Sequence, residues 1–272
     1  MQEESLKDRK ASLRECGICV IIPTYNNEGT IADVVTRALA QCDDVIVVND
    51  GCTDGTGEIL DGLNCRPVVV ELKRNCGKGA ALRAGFKYAL EQGFEYAITL
   101  DGDGQHFPED IGIMLQAHLD NPGALIVGKR KGLDQVERSK GSKFANAFSN
   151  FWFAVQTGHH LDDTQTGYRL YPLKKLRGLR FLTSRYEAEL ELLVFASWEG
   201  IKLVSEEINV FYPPANERVS HFIPAKDFTR ISILNVILCL LALVYGLPKS
   251  IARSVRRHIS HQPDKLYETK NH

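Results

Sequence analysis

Runs of three to five apolar residues recur along the first half of the chain, at 19–22, 45–48, 68–70, 96–100 and 125–128. Each has the length of a buried strand. Between them the apolar positions fall at helical spacing, as at Ile31, Val34, Val35, Ala38 and Leu39. Further helices are predicted over 56–60 and 79–90, and Pro108-Glu109-Asp110 suits a first helical turn, with proline early and acids at the positive dipole end. Strand-helix alternation of this kind predicts an α/β fold, a mostly parallel central sheet with helices on both faces. Beyond Gly128 the pattern changes to a charged loop over 129–143, an aromatic-rich helix over 144–155, a last strand over 203–212 and a polar loop over 216–227.

The two ends of the chain differ in character. Residues 1–17 form a charged, polar segment with no apolar stretch of the kind a secretory signal needs. Residues 231–247 carry no charge, and Arg253, Arg256 and Arg257 follow. As a helix this run spans about 26 Å, slightly short of a hydrocarbon core of about 30 Å. Its basic flank suits anionic headgroups on a cytoplasmic face. A membrane-contacting helix, a buried helix and an oligomer-forming helix all remain open. The expected organisation is therefore 1–17 as a polar segment, 18–227 as the α/β domain, and 228–272 as an apolar helix with a basic tail.

Composition narrows the classes. A net charge of −1 gives no footprint for bulk nucleic-acid binding. Seven cysteines, an odd number lying mostly beside apolar runs, point to reduced thiols in a cytoplasmic setting.

In an open α/β sheet, ligands collect beyond the carboxyl ends of the strands. Three such ends are polar here: PTYNNE (23–28), NDGCTDGT (49–56) and DGDGQ (101–105). In the third, Asp101 and Asp103 are flanked by glycines that let both carboxylates turn toward one point. Paired acidic oxygens suit a hard cation such as Mg²⁺ or Mn²⁺, which can in turn hold a diphosphate.

Five motifs in order carry a resemblance: PTYNNE, VVNDGCTDGT, RNCGKGAALRAGF, DGDGQ and DTQTGYRL. Over residues 18–222 the chain resembles family 2 glycosyltransferases with the GT-A fold, and within them polyprenyl-phosphate sugar synthases of the dolichyl-phosphate mannose and glucose type. The resemblance implies that Pro23, Tyr25, Glu28, Asp50, Lys78 and Asp101 bind the nucleotide. It implies that Asp101, Asp103 and Gln105 bind the metal and diphosphate, and that Asp163 lies near the acceptor. The chain departs from the pattern at Asn49, where the family usually has Asp, which leaves the nucleotide open. Thr164-Gln165-Thr166 stands where the mannose type has Pro-Thr-Ser, and is closer to the glucose branch. Arg218 and His221 match a later phosphate-facing element only loosely.

The implied reaction is inverting, metal-dependent transfer of a sugar from a GDP- or UDP-linked donor to a polyprenyl-phosphate acceptor. A lipid phosphate is already anionic at neutral pH and needs no strong base. Cations must then offset two phosphate-bearing partners, and Arg130 and Arg138 lie in the right loop for that task. A hydroxyl acceptor would need a base, for which Asp163 is the candidate. A nucleotidyltransferase and a non-catalytic sugar-nucleotide-binding module also stay open, as does a homo-oligomer.

Overall fold

The computed structural model describes residues 2–131, 140–179, 182–212 and 224–260. Arg138 and the element around Arg218 and His221 lie outside them. Seven strands form one sheet: β1 (Ile18–Thr24), β2 (Val45–Asn49), β3 (Val68–Glu71), β4 (Tyr96–Thr99), β5 (Leu125–Arg130), β6 (Arg169–Pro172) and β7 (Leu203–Ile208). Their order is β3-β2-β1-β4-β6-β5-β7. All neighbours are parallel except that β6 runs antiparallel to both β4 and β5. The mostly parallel sheet expected from the pattern is present, with β6 as one reversed strand inserted in it.

Period-two alternation divides the sheet into two cores. On β1 and β2, Cys19, Ile21, Ile46 and Val48 face one way. Ile18, Val20, Ile22, Val45 and Val47 face the other. The first face is covered by α4 (Lys78–Glu91), α6 (Lys140–Thr157), α7 (Leu173–Leu176) and α8 (Glu187–Trp198). The second is covered by α1 (Gln2–Glu15), α2 (Ile31–Gln41), α3 (Thr56–Gly62) and α5 (Ile111–Asp120). The N-terminal polar segment is thus a helix, tied to the domain by buried Leu13 and by Lys10 and Arg14 on Asp43. All seven cysteines are free.

The C-terminal apolar run forms α9 (Pro224–Leu241), one π-helical turn (Ala242–Gly246) and α10 (Leu247–Ser260). Leu234, Leu238 and Ala242 bury against the first core. The π turn lies over Trp198, where a Cβ on Gly246 would come within 2.5 Å of the indole nitrogen. That indole is held by its N–H donating to the Gln156 carbonyl at 2.9 Å.

The approach of α4 to the start of α8 decides where the site's side chains stand. Gly79 makes it possible: a Cβ there would lie 2.3 Å from the Ala188 Cβ. Gly79→Val is expected to destabilise the fold by about 1–3 kcal/mol through overpacking, read as a lower thermal unfolding midpoint. An unchanged midpoint would show that the two helices do not need this contact.

Candidate active site

Parallel pairing sets Thr24 beside Asn49, and Ile21 beside Thr99. The three polar strand ends therefore open onto one cavity of about 500 Å³. Pro23, Tyr25, Asp50, Lys78, Asp101, Asp103, Gln105 and Arg130, expected from the sequence, all line it. Arg185, Tyr186, Asn75 and Gln165 line it as well. Glu28 and Asn49 are not among the described lining residues; both brace the loops behind the wall. The Gly55 N–H donates to Glu28 Oε2 at 2.8 Å, and the Cys52 N–H donates to Asn49 Oδ1 at 2.9 Å. Asn accepts that backbone bond as Asp would, so the departure at position 49 leaves the turn intact.

Asp50 is buried, and its two oxygens accept the Cys76 and Gly77 N–H groups at 2.7 and 2.8 Å. Burial pushes its carboxyl up, while those two bonds and the nearby Arg185 charge pull it down. The clamp fixes the loop that enters α4, where Gly77 has φ +94° and lies against Ser184 and Arg185. One bond per oxygen leaves further acceptor capacity on a residue that lines the cavity.

Lys78, the first residue of α4, places Nζ 2.6 Å from Asp101 Oδ1 and 2.9 Å from Glu189 Oε2. Burial works against its charge, and the two carboxylates more than reverse that, raising its pKa. Burial likewise works against the charge of Asp101, but the Lys78 ammonium prevails and lowers its pKa. Gly167 backs this pair: a Cβ there would lie 2.6 Å from Nζ and 2.7 Å from Asp101 Oδ2. The glycine of the DTQTG motif is thus required by close approach rather than by a turn.

His106 stacks on Tyr168 with 5.3 Å between ring centroids, and its Nδ1 accepts the Asp101 N–H at 3.2 Å. Burial depresses its pKa to about 4, so the ring is neutral and braces the backbone of the acidic loop. Asp103 is different. Burial and then the adjacent Asp101 charge push its carboxyl up to about 6, with the Gln105 N–H at 3.0 Å acting in the opposite direction.

Among the described residues, no group of three or more His, Cys, Asp or Glu forms a self-sufficient metal cage. Asp101 and Asp103 nonetheless fit Mg²⁺ or Mn²⁺. Their donors are hard oxygens and the cavity in front of them is open. Mg²⁺ is commonly held by one or two carboxylates completed by substrate phosphates. Burial and then the Asp101 charge disfavour the ionised form of Asp103, and a divalent cation would favour it. Gln105 lines the same corner and could contribute an oxygen.

Asp163 is almost wholly buried and does not open on the cavity. Arg130 Nε and Nη2 donate to its two oxygens at 2.6 and 2.8 Å. The Arg130 and Gln165 backbone N–H groups approach them at 3.4 and 3.3 Å. A carboxylate offers about four acceptor positions, and these are taken. Asp163 therefore orients Arg130 toward the cavity.

Glu189, Arg185 and Tyr186 were not expected. Glu189 sits in a helix whose Glu187, Glu189 and Glu191 are all buried, so no polar face marked it. Its partnership with Lys78 is visible only in three dimensions.

A carboxyl held above its usual range contributes stability while protonated and loses it as pH rises from about 4 to about 6. In metal-free buffer at pH 8, Asp103→Asn is expected to be more stable than the parent by about 1–3 kcal/mol, with the difference vanishing near pH 4. Equal stabilities at pH 8 would contradict the burial and charge crowding described above.

Comparison with known proteins agrees with this geometry. Residues 19–177 match the model of glycosyl transferase family 2. The chain is 29% identical over 217 residues to a UDP-N-acetylglucosamine–dolichyl-phosphate N-acetylglucosaminyltransferase of Methanococcus voltae, covering 72% of this chain and 86% of that protein. It is 36% identical over 164 residues to a polyprenol monophosphomannose synthase of Mycolicibacterium smegmatis, covering 56% and 60%. An undecaprenyl-phosphate mannosyltransferase of Micrococcus luteus matches at 32%, over 60% and 69%. Glucosyl-3-phosphoglycerate synthase of Mycobacterium tuberculosis, solved with Mn²⁺, UDP and glucosyl-3-phosphoglycerate, superposes with a TM-score of 0.62 at 18% identity, over 87% of this chain and 83% of that one. That likeness bears on the fold, which is of the GT-A kind. With the family model spanning more than half of the chain, the protein belongs to glycosyl transferase family 2 and is a glycosyltransferase.

Proposed function

We propose that the chain transfers a glycosyl group, with inversion, from a GDP- or UDP-linked sugar to a polyprenyl phosphate at the cytoplasmic face of a membrane. The observation that carries this reading is the convergence of Asp101, Asp103, Lys78 and Arg130 on one cavity beside Asp50 and Tyr25. Asp50 and Tyr25 would bind the nucleoside, and Asp101 and Asp103 would hold Mg²⁺ or Mn²⁺ against the diphosphate. When bound, the ion would offset charge on the departing diphosphate. Lys78 and Arg130 supply two further positive charges, and Arg130 arrives pre-oriented by Asp163. Arg138 and Gln105 remain candidates for the same phosphate chemistry.

The Asp163 environment favours an acceptor that is already ionised. A hydroxyl acceptor needs a base, and the acceptor positions of Asp163 are filled by four N–H groups. A phosphate acceptor needs placement and cations, which this site offers. The names of the three relatives point the same way.

The C-terminal helix suits a lipid acceptor. The run Thr229–Arg256 is long and apolar enough to cross a membrane. Its inner face, however, is bound to the catalytic domain. Asn235 accepts from Gln156, Lys249 pairs with Glu199, and Arg253 donates to the Trp198 carbonyl. A helix fastened along its length cannot cross a bilayer without drawing charged Glu199 in with it, which is costly. Its outer face, including Val236, Leu240, Leu243, Val244 and Ile251, is exposed. A helix with one face on protein and one apolar face outward lies in the plane of a membrane surface.

Three outcomes check this proposal. A panel of GDP- and UDP-sugars offered with polyprenyl phosphate should give lipid-linked sugar with Mg²⁺ or Mn²⁺ and not with EDTA. Asp103→Ala should lower turnover by about 10²-fold or more; full activity in that variant, or transfer only to hydroxyl acceptors, would reject the reading. Val244→Glu with Ile251→Glu should abolish co-sedimentation with anionic vesicles while sparing transfer to a short, water-soluble polyprenyl phosphate. Undiminished vesicle binding would reject the membrane face.

A further inference from the structure

Lys78 stands between two carboxylates that have different fates. Asp101 faces the cavity, whereas Glu189 is buried, and its Oε1 has no hydrogen-bond partner. Resting on the reading of Asp101 and Asp103 as the pair that holds a divalent cation, we propose that Glu189 is a positioning residue that keeps Lys78 in the cavity wall when Asp101 takes up that cation.

A divalent ion on Asp101 repels an ammonium 2.6 Å from the same carboxylate. Lys78 cannot retreat past Gly167, whose Cα side already leaves no room for a methyl group beside Nζ. A buried ammonium left without a partner is strongly disfavoured. Glu189 Oε2 stands 2.9 Å away and is the partner that remains. Its place is fixed from three sides. The Gly79–Ala188 approach sets α8 against α4, the Arg169 guanidinium donates to the Glu189 carbonyl at 2.7 Å, and the side chain is enclosed. Arg169 is itself fully buried and also holds the Thr164 and Thr166 carbonyls, so the DTQTG loop and Glu189 share one anchor. Lys78 then stays beside the cavity with three N–H donors, one of which can meet a donor phosphate. Without Glu189, Lys78 would have Asp101 as its carboxylate partner and would compete with the ion for it.

The test is Mn²⁺ affinity of the full chain without nucleotide, read from the electron paramagnetic resonance of free Mn²⁺. Glu189→Gln, close in shape, is expected to raise the Kd on the order of tenfold. In a Lys78→Met background the same change is expected to have no further effect, because Glu189 acts through Lys78. An equal loss in both backgrounds would mean that Glu189 merely adds negative field, and an unchanged Kd in the single variant would mean that it does nothing; either overturns the proposal. No Mn²⁺ binding by the parent would instead overturn the carboxylate-pair reading beneath it. Should Lys78→Met not fold, a crystal structure of the parent with Mn²⁺ decides. Nζ within hydrogen-bond distance of Glu189 supports the proposal, and Nζ still on Asp101 alone, or on neither, overturns it.

Discussion

The ion pair between Lys78 and Asp101 joins four parts of the chain at one point. Lys78 opens α4, Asp101 follows β4, Gly167 precedes β6 and Glu189 lies in α8. None of these segments can move far without exposing a charge or closing the gap that Gly167 leaves. The carboxyl ends of β1 and β2 join through Asp50, which clamps the Gly77 turn from which Lys78 emerges. A buried ion pair contributes little net stability once desolvation is counted. What it supplies here is placement: a cation, two acidic side chains and the Gly77 loop fixed around one cavity.

Stability and chemistry pull apart at this point. Asp103 sits beside Asp101 at a cost that a neutral side chain would not incur, shown by its carboxyl being held up to about 6. Proteins retain such crowding where a ligand relieves it. His106 and Arg169 do the opposite work, one neutral and stacked, the other charged and spent on backbone carbonyls, and both stiffen the loops around the acidic pair.

Much of this was legible in the sequence because it depends on local pattern. The parallel strands announce themselves as continuous apolar runs, and the three polar strand ends follow directly from them. β6 was not legible as a strand: four residues with an arginine at its start resemble a loop, and that arginine tolerates burial because the Thr164, Thr166 and Glu189 carbonyls and the Tyr171 hydroxyl accept from it. Glu189 was invisible for a related reason. Alternating glutamates and apolar residues in 187–193 lack a helical polar face, because α8 is enclosed by its neighbours and each acid is buried. Asp163 was recognisable as a motif residue, but its engagement with Arg130 arises between segments 33 residues apart. The apolar C-terminal run was plain, while its orientation depended on Gln156, Glu199 and Trp198 meeting it from other parts of the fold.

On this account the protein contributes cations and placement, and the acceptor brings its own negative charge. Neither a protein nucleophile nor a free base is then required, and transfer proceeds by one displacement. The most direct test is the anomeric configuration of the lipid-linked sugar formed by the parent protein, read by NMR from coupling at the anomeric carbon. The account predicts inversion relative to the donor. Retention would mean a two-step route through a different group, and would contradict it.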